Sequence, residues 1–206
     1  MKVFNSIVAV TLAQRTFQTE ETQLGARRYN DLLKMVKNYN PDFDERKYWA
    51  YGCQCLILGD RPMSEMGHGK PIDQLDVSCH KYKQCQKCVR KEFGSECIGE
   101  FVKYSWGTRR REAYCEDAVG TCARALCECD LDFSKKLTPE LVSVFDPEYH
   151  LFYTTTGWNP EESCEKGNGV SRPECCGPDD GPKYIYNSLS KQCCADYSIK
   201  KTCPAY

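Results

Sequence analysis

Sixteen cysteines in 206 residues constrain this chain more than any other feature. In a reducing compartment that many thiols would need a metal to hold them, whereas an oxidising compartment turns them into disulfides. Cys85 and Cys88 have the spacing of half a zinc site, but no second Cys-x-x-Cys or His-x3-His follows. The three histidines, His68, His80 and His150, are far apart in the chain. The adjacent pairs Cys175-Cys176 and Cys193-Cys194 suit a disulfide framework and would crowd one tetrahedral ion. The chain therefore reads as a disulfide protein without metal.

The N-terminus fits an oxidising destination. Met1-Lys2 and the apolar run Val3 to Ala13 have the form of a signal peptide over residues 1–13, although Asn5 and Ser6 dilute it. The same run would also suit a buried strand. With the cysteines, the signal reading implies a secreted, extracellular protein. No other apolar run approaches 18 residues, so no transmembrane segment is expected. Lys and Arg number 28 against 29 Asp and Glu, and that balance offers nothing to nucleic acid. A hydrophobic fraction of 41% is enough for a core and argues against a disordered chain.

Cysteine distribution divides the chain. Ten lie between Cys53 and Cys129, and six crowd into Cys164 to Cys203. The gap carries Pro139, Pro147, Pro160 and the run Thr154-Thr155-Thr156-Gly157, which has the composition of a linker. Before the first cluster, Leu32, Leu33, Met35 and Val36 face away from Asp31, Lys34 and Lys37, predicting an amphipathic helix over Tyr29 to Tyr39. A second helix is expected from Pro71 to about Phe93, with Asp73 as its cap. A third is expected from about Glu112 to Phe133. The alternating aromatics of Phe101 to Trp106 predict a hairpin ending near Gly107.

Three segments, in order, resemble the secreted phospholipases A2. Tyr51-Gly52-Cys53-Gln54-Cys55 is similar to the start of that family's calcium loop. Gly67-His68-Gly69-Lys70-Pro71-Ile72-Asp73-Gln74-Leu75-Asp76 resembles the lead into its catalytic helix. Cys115-x6-Cys122-x4-Cys127-x-Cys129-Asp130 reproduces the cysteine ladder of its second long helix. The resemblance implies a mainly α fold, with two long antiparallel disulfide-linked helices, an N-terminal helix and a small β-wing, over residues 27–155. It further implies the bonds Cys55–Cys79, Cys85–Cys129, Cys97–Cys122 and Cys115–Cys127, and offers Cys164 as partner to Cys53. One family bond is missing at both ends, where Ser78 and Lys136 stand.

The family's catalytic positions are where the pattern departs. Its general-base His and its calcium-binding Asp are matched here by Tyr82 and Lys83. A phenol, with a pKa of about 10, is a poor base at neutral pH. An ammonium repels a divalent cation, by roughly 4 kcal/mol per unit charge pair at 4 Å near a protein surface. Eleven residues, Leu56 to Met66, lie between Cys55 and Gly67 where the family usually has three. Asp130 remains, with no His to orient, and a hydrogen bond from Tyr82 would be a structural substitute. Gln86 stands in place of a usual Tyr. The resemblance thus implies an enzyme fold with neither its dyad nor its calcium cofactor.

Binding is then the expected function. His80, Lys83, Lys87, Arg90 and Lys91 recur at helical spacing, and Arg109-Arg110-Arg111 would extend the stripe across the wing. Such a stripe either meets an anionic lipid, glycosaminoglycan, mineral or acidic extracellular protein, or is a solvated helix face. A cleft between the long helices either holds a fatty acid or lysolipid or is filled by Tyr82 and its neighbours. Residues 164–206 resemble the dicysteine modules of matrix proteins such as galaxins, and so many cysteines in so short a stretch imply that bridges hold it. If every cysteine pairs within the chain, Cys88 and the tail require a further inter-module bridge. The leading expectation is a secreted, non-catalytic phospholipase A2-like binding protein. Its rivals are a calcium-dependent phospholipase A2 with an atypical site and a membrane-active, toxin-like effector.

Overall fold

The computed structural model describes residues 29–48, 50–55, 67–99, 101–165, 167 and 169–204. The signal-peptide segment 1–13 and the long insertion 56–66 lie outside the described residues.

Helix α1 covers residues 29–39. Leu32, Met35 and Val36 are buried while Lys34 and Lys37 are exposed, the one-sided burial that three-to-four spacing gives. Helix α2 runs Gln74–Phe93. The Asp73 side chain caps it by accepting from the Asp76 N–H at 2.8 Å, and Gly94, at φ +97°, ends it. Helix α3 runs Cys122–Lys136, and Thr121 caps it by accepting from the Arg124 N–H at 3.2 Å. The two long helices are antiparallel. Tyr82, early in α2, stacks on Phe133, late in α3, with ring centroids 4.5 Å apart. Cys85 is bonded to Cys129, and Cys97, past the end of α2, to Cys122 at the start of α3.

Strands β1 (Trp106–Arg109) and β2 (Glu112–Cys115) form an antiparallel hairpin between the helices. Two expectations change here. The hairpin lies further along than the Phe101 to Trp106 aromatics suggested, because Tyr104 turns inward onto α3. The third helix begins at Cys122 rather than near Glu112. A continuous helix would hold residues 115 and 127 roughly 18 Å apart, whereas the Cys115–Cys127 bridge brings their Cα atoms to 5.9 Å. The chain must double back between them, and it does so through Gly120 at φ +80°.

Short helices α4 (Pro139–Val142) and α5 (Pro160–Ser163) lead to the tail. There β3 (Pro173–Cys176) pairs with β4 (Tyr184–Asn187), and β5 (Gln192–Cys193) with β6 (Ile199–Lys200). Apolar burial differs between tail and body: among the described residues from Cys164 on, only Cys164, Cys176 and Cys194 are buried. Covalent links take the place of a core. Cys176–Cys193 and Cys194–Cys203 close the tail, while Cys53–Cys164 and Cys88–Cys175 tie it to the body. Strand β4 lies on α2, and the Tyr184 hydroxyl donates to Asp132 Oδ2 on α3 at 2.5 Å. Lys136, at the end of α3, pairs with that same Asp132 oxygen at 2.5 Å. All sixteen cysteines are in eight bridges, Cys85 with Cys129 and Cys88 with Cys175.

Candidate functional site

The inner face of α2 meets α3 around one carboxylate. Asp130 is fully buried, and its Oδ1 accepts from the Tyr82 hydroxyl at 2.8 Å and from Gln86 Nε2 at 3.3 Å. Its Oδ2 accepts from the Tyr104 hydroxyl at 2.6 Å. Two phenols and an amide thus surround the charge, supplying the hydrogen bonds a buried carboxylate requires. Tyr82 is buried as well, its ring on Phe133 and its hydroxyl committed to Asp130. Tyr104 was missed from sequence because the alternating aromatics around it suggested a strand.

A second carboxylate organises the neighbouring turn. Asp76 is fully buried and accepts from the backbone N–H groups of Cys53 (2.9 Å), Gln54 (2.7 Å), Cys55 (3.1 Å) and Ile72 (3.1 Å). Burial pushes its pKa up, against the lowering effect of those four donors. Gly52 is required here: its φ is +59°, and a Cβ would come within 2.5 Å of the Asp76 carboxyl carbon. The motif around Leu75-Asp76 was visible in the sequence; the role of Asp76 as an anchor for residues 53–55 was not.

Lys83 follows Tyr82 by one residue and points elsewhere. Its side chain is buried, and Nζ would lie 2.9 Å from a Cβ placed on Gly67; Gln54 Oε1 would lie equally close to that Cβ. The ammonium therefore sits beside the turn that Asp76 holds. Burial drives the Lys83 pKa down to about 7, with Lys87 adding to the shift and Asp76 opposing it. His80, one turn earlier, bonds through Nδ1 to Gln54 Oε1 at 3.1 Å and through Nε2 to Gln84 Nε2 at 2.9 Å. These partners fit a neutral ring that donates from Nδ1 and accepts at Nε2. Burial, then the cations Lys87, Lys191 and Lys83, lower its pKa. His68 Nε2 is buried with no hydrogen-bond partner among the described residues.

The basic stripe does not survive folding as one surface. Lys83 is internal, leaving Lys87 and Lys91 exposed and Arg90 half-buried on α2. Arg109, Arg110 and Arg111 are exposed, but beside the other end of the helical pair: Glu112 pairs with Lys135 late in α3 at 3.9 Å, and Asn38 of α1 donates to the Arg111 carbonyl at 2.8 Å.

Among the described residues, a small apolar pocket lies against α1. Leu32, Leu33, Val36, Phe43, Tyr48 and Phe133 line about 30 Å³ of it, enough for a water molecule. The Tyr48 hydroxyl is buried without a hydrogen-bond partner among the described residues, and burial raises its pKa. A larger cavity of about 270 Å³, unanticipated from the sequence, lies where α2, α3 and the 179–183 turn meet. Its basic groups are already paired, Arg124 with Glu128 at 2.6 Å and Lys183 with Glu92 at 3.4 Å.

Known proteins match this frame. Over 84 residues, 41% of the chain, it is 34% identical to the basic phospholipase A2 beta-bungarotoxin A-AL4 chain of Bungarus multicinctus, covering 54% of that protein. It is 36% identical to the A2 chain of Bungarus flaviceps flaviceps and to the A1 chain of Bungarus caeruleus, covering 50% of each. The chain spans about half the length of these curated relatives. The sequence profile described as phospholipase A2 matches residues 29–142, from α1 through both long helices to α4, and with more than half of its length so matched the chain belongs to the phospholipase A2 family.

Proposed function

We propose that this chain is a secreted phospholipase A2-like protein that binds an extracellular partner and does not hydrolyse phospholipid. The observation that carries the reading is the buried Lys83 amine beside Gln54 and Gly67, in the turn that resembles the family's calcium loop. A calcium ion takes six to eight oxygen ligands. Among the described residues, the Cys53, Gln54 and Cys55 N–H groups point at Asp76, and the amine of Lys83 brings a donor where an acceptor is needed. These residues do not fit calcium. Tyr82 supports the same reading, since its hydroxyl is committed to Asp130 and is a poor base at neutral pH.

The partners that suit the exposed Lys87 and Lys91 are anionic: a lipid surface, a glycosaminoglycan, a mineral or an acidic protein. A membrane-damaging role draws less support. The relatives are named as basic, whereas this chain carries a formal charge of −1.

The test measures fatty acid released from mixed phospholipid micelles with calcium or with chelator, beside calorimetric titration with calcium. No release and no calcium heat are expected. Calcium-dependent release would overturn the proposal. Calcium-independent release that rises through pH 7 and disappears in Lys83→Met would also overturn it, by making the Lys83 amine a base.

A further inference from the structure

The tip of the β1–β2 hairpin is built from residues that such a turn disfavours. Arg109 pairs with Glu112, so only Arg110 and Arg111 form the loop. Both have positive φ, 54° and 70°. That is the type I′ geometry, for which Asn-Gly is the usual choice, because a Cβ in the left-handed region crowds the following carbonyl oxygen. Five consecutive residues, Thr108 to Glu112, are exposed. The Arg110–Arg111 peptide unit is the one that a two-residue loop leaves outside the ladder, and the next carbonyl, that of Arg111, is held by Asn38.

We infer that this tip is a processing site for a serine endoprotease with an acidic specificity pocket, cut at the Arg110–Arg111 bond. One water is consumed: the C–N bond breaks, hydroxide goes to the Arg110 carbonyl carbon, and the proton goes to the Arg111 nitrogen. The products are a carboxylate and an ammonium. Strain favours opening, because release of the turn relieves two left-handed arginines, and few buried contacts oppose it, since Ala113 and Cys115 are the buried residues of the hairpin. The fragments stay joined, because Cys53–Cys164, Cys85–Cys129, Cys88–Cys175 and Cys97–Cys122 all cross the cut. The mature form is then two disulfide-linked chains.

The experiment treats the oxidised full chain with limiting trypsin and follows cleavage at each Lys and Arg by mass, with and without reductant. Cleavage at Arg110–Arg111 is expected at least about tenfold faster than at Lys91 or Lys200, exposed basic residues in regular structure. Before reduction the nicked protein keeps the intact mass plus one water; after reduction it gives two fragments. In Arg109→Gln/Arg110→Asn/Arg111→Gly, which retains a favourable type I′ loop, cleavage at the tip is lost while the melting temperature is unchanged or higher. A tip cut no faster than Lys91 or Lys200 overturns the inference. So does a triple variant that stays folded and is still nicked at the tip at the original rate.

Discussion

Tyr82 and Lys83 are adjacent in the chain, and α2 turns them about 100° apart into two environments. On the Tyr82 side, polar groups are matched to one another: two phenols and an amide meet the Asp130 carboxylate, and an aromatic stack covers the rest. On the Lys83 side, a basic group is buried beside a turn whose N–H groups have already been claimed by Asp76. Matched burial leaves each group in its ordinary bonding role. On the Lys83 side burial itself changes the chemistry of the group, and the Lys83 pKa falls to about 7. The first side is a hydrogen-bonded structural centre, and the second places a buried amine beside the 51–55 turn.

Removing the anchor of the second side should have the largest effect. Asp76→Ala leaves the N–H groups of Cys53, Gln54 and Ile72 without their Asp76 acceptor, while the Cys55 N–H keeps the Tyr51 carbonyl at 3.1 Å. At roughly 1–3 kcal/mol for each unsatisfied group, urea unfolding with disulfides intact should show a loss of about 5 kcal/mol or more. Asp76→Asn keeps one acceptor oxygen and should lose less. A near-wild-type midpoint for Asp76→Ala would show that the turn is held by its disulfides alone.

Lys83→Met should act in the opposite direction. The folded state binds the Lys83 proton more weakly than the unfolded chain does, so wild-type stability is lost as pH falls from about 10.5 to about 7 and changes little from this group below that. The methionine variant should gain on the order of 4 kcal/mol at neutral pH, and the gain should fade toward pH 10.5. His80, whose pKa is also lowered, adds a smaller loss below its ordinary pKa of 6.5 in both proteins. Equal pH profiles for the two proteins would mean that the Lys83 amine keeps its proton through compensating contacts.

The frame was legible because disulfide ladders restrict sequence spacing so strongly. Cys115, Cys122, Cys127 and Cys129 located α3 against the hairpin, and the capping residue Asp73 located the start of α2. The misplaced start of the third helix was in principle correctable, since a Cys115–Cys127 bridge and one helix running through both residues are geometrically incompatible. The direction of Lys83 stayed open in the sequence, since its match to the family's calcium-binding position points inward and the basic spacing points outward. Its spacing from Lys87 and Arg90 suits an exposed stripe, and only the position of the 51–55 turn and the docking of β4 on α2 decide which cations remain outside. Tail connectivity was open as well, because six closely spaced cysteines allow many pairings, and the Cys88–Cys175 link depends on how β3 and β4 dock on α2.

The smallest effect should come from the matched side. Tyr82→Phe removes one donor to Asp130 while leaving Tyr104, Gln86 and the stack on Phe133 in place. A hydrogen bond to a charged acceptor contributes about 1.5–3 kcal/mol, and the remaining donors should hold the loss near the lower end. Because Tyr82 is internal to a satisfied network, the change should alter stability without altering the pH dependence set by Lys83. Partner binding at Lys87 and Lys91 should not move either. Should Tyr82→Phe instead flatten the profile near pH 7, the two sides of α2 would be one coupled site, and the Tyr82–Asp130 pair would belong to the same functional unit as the buried amine.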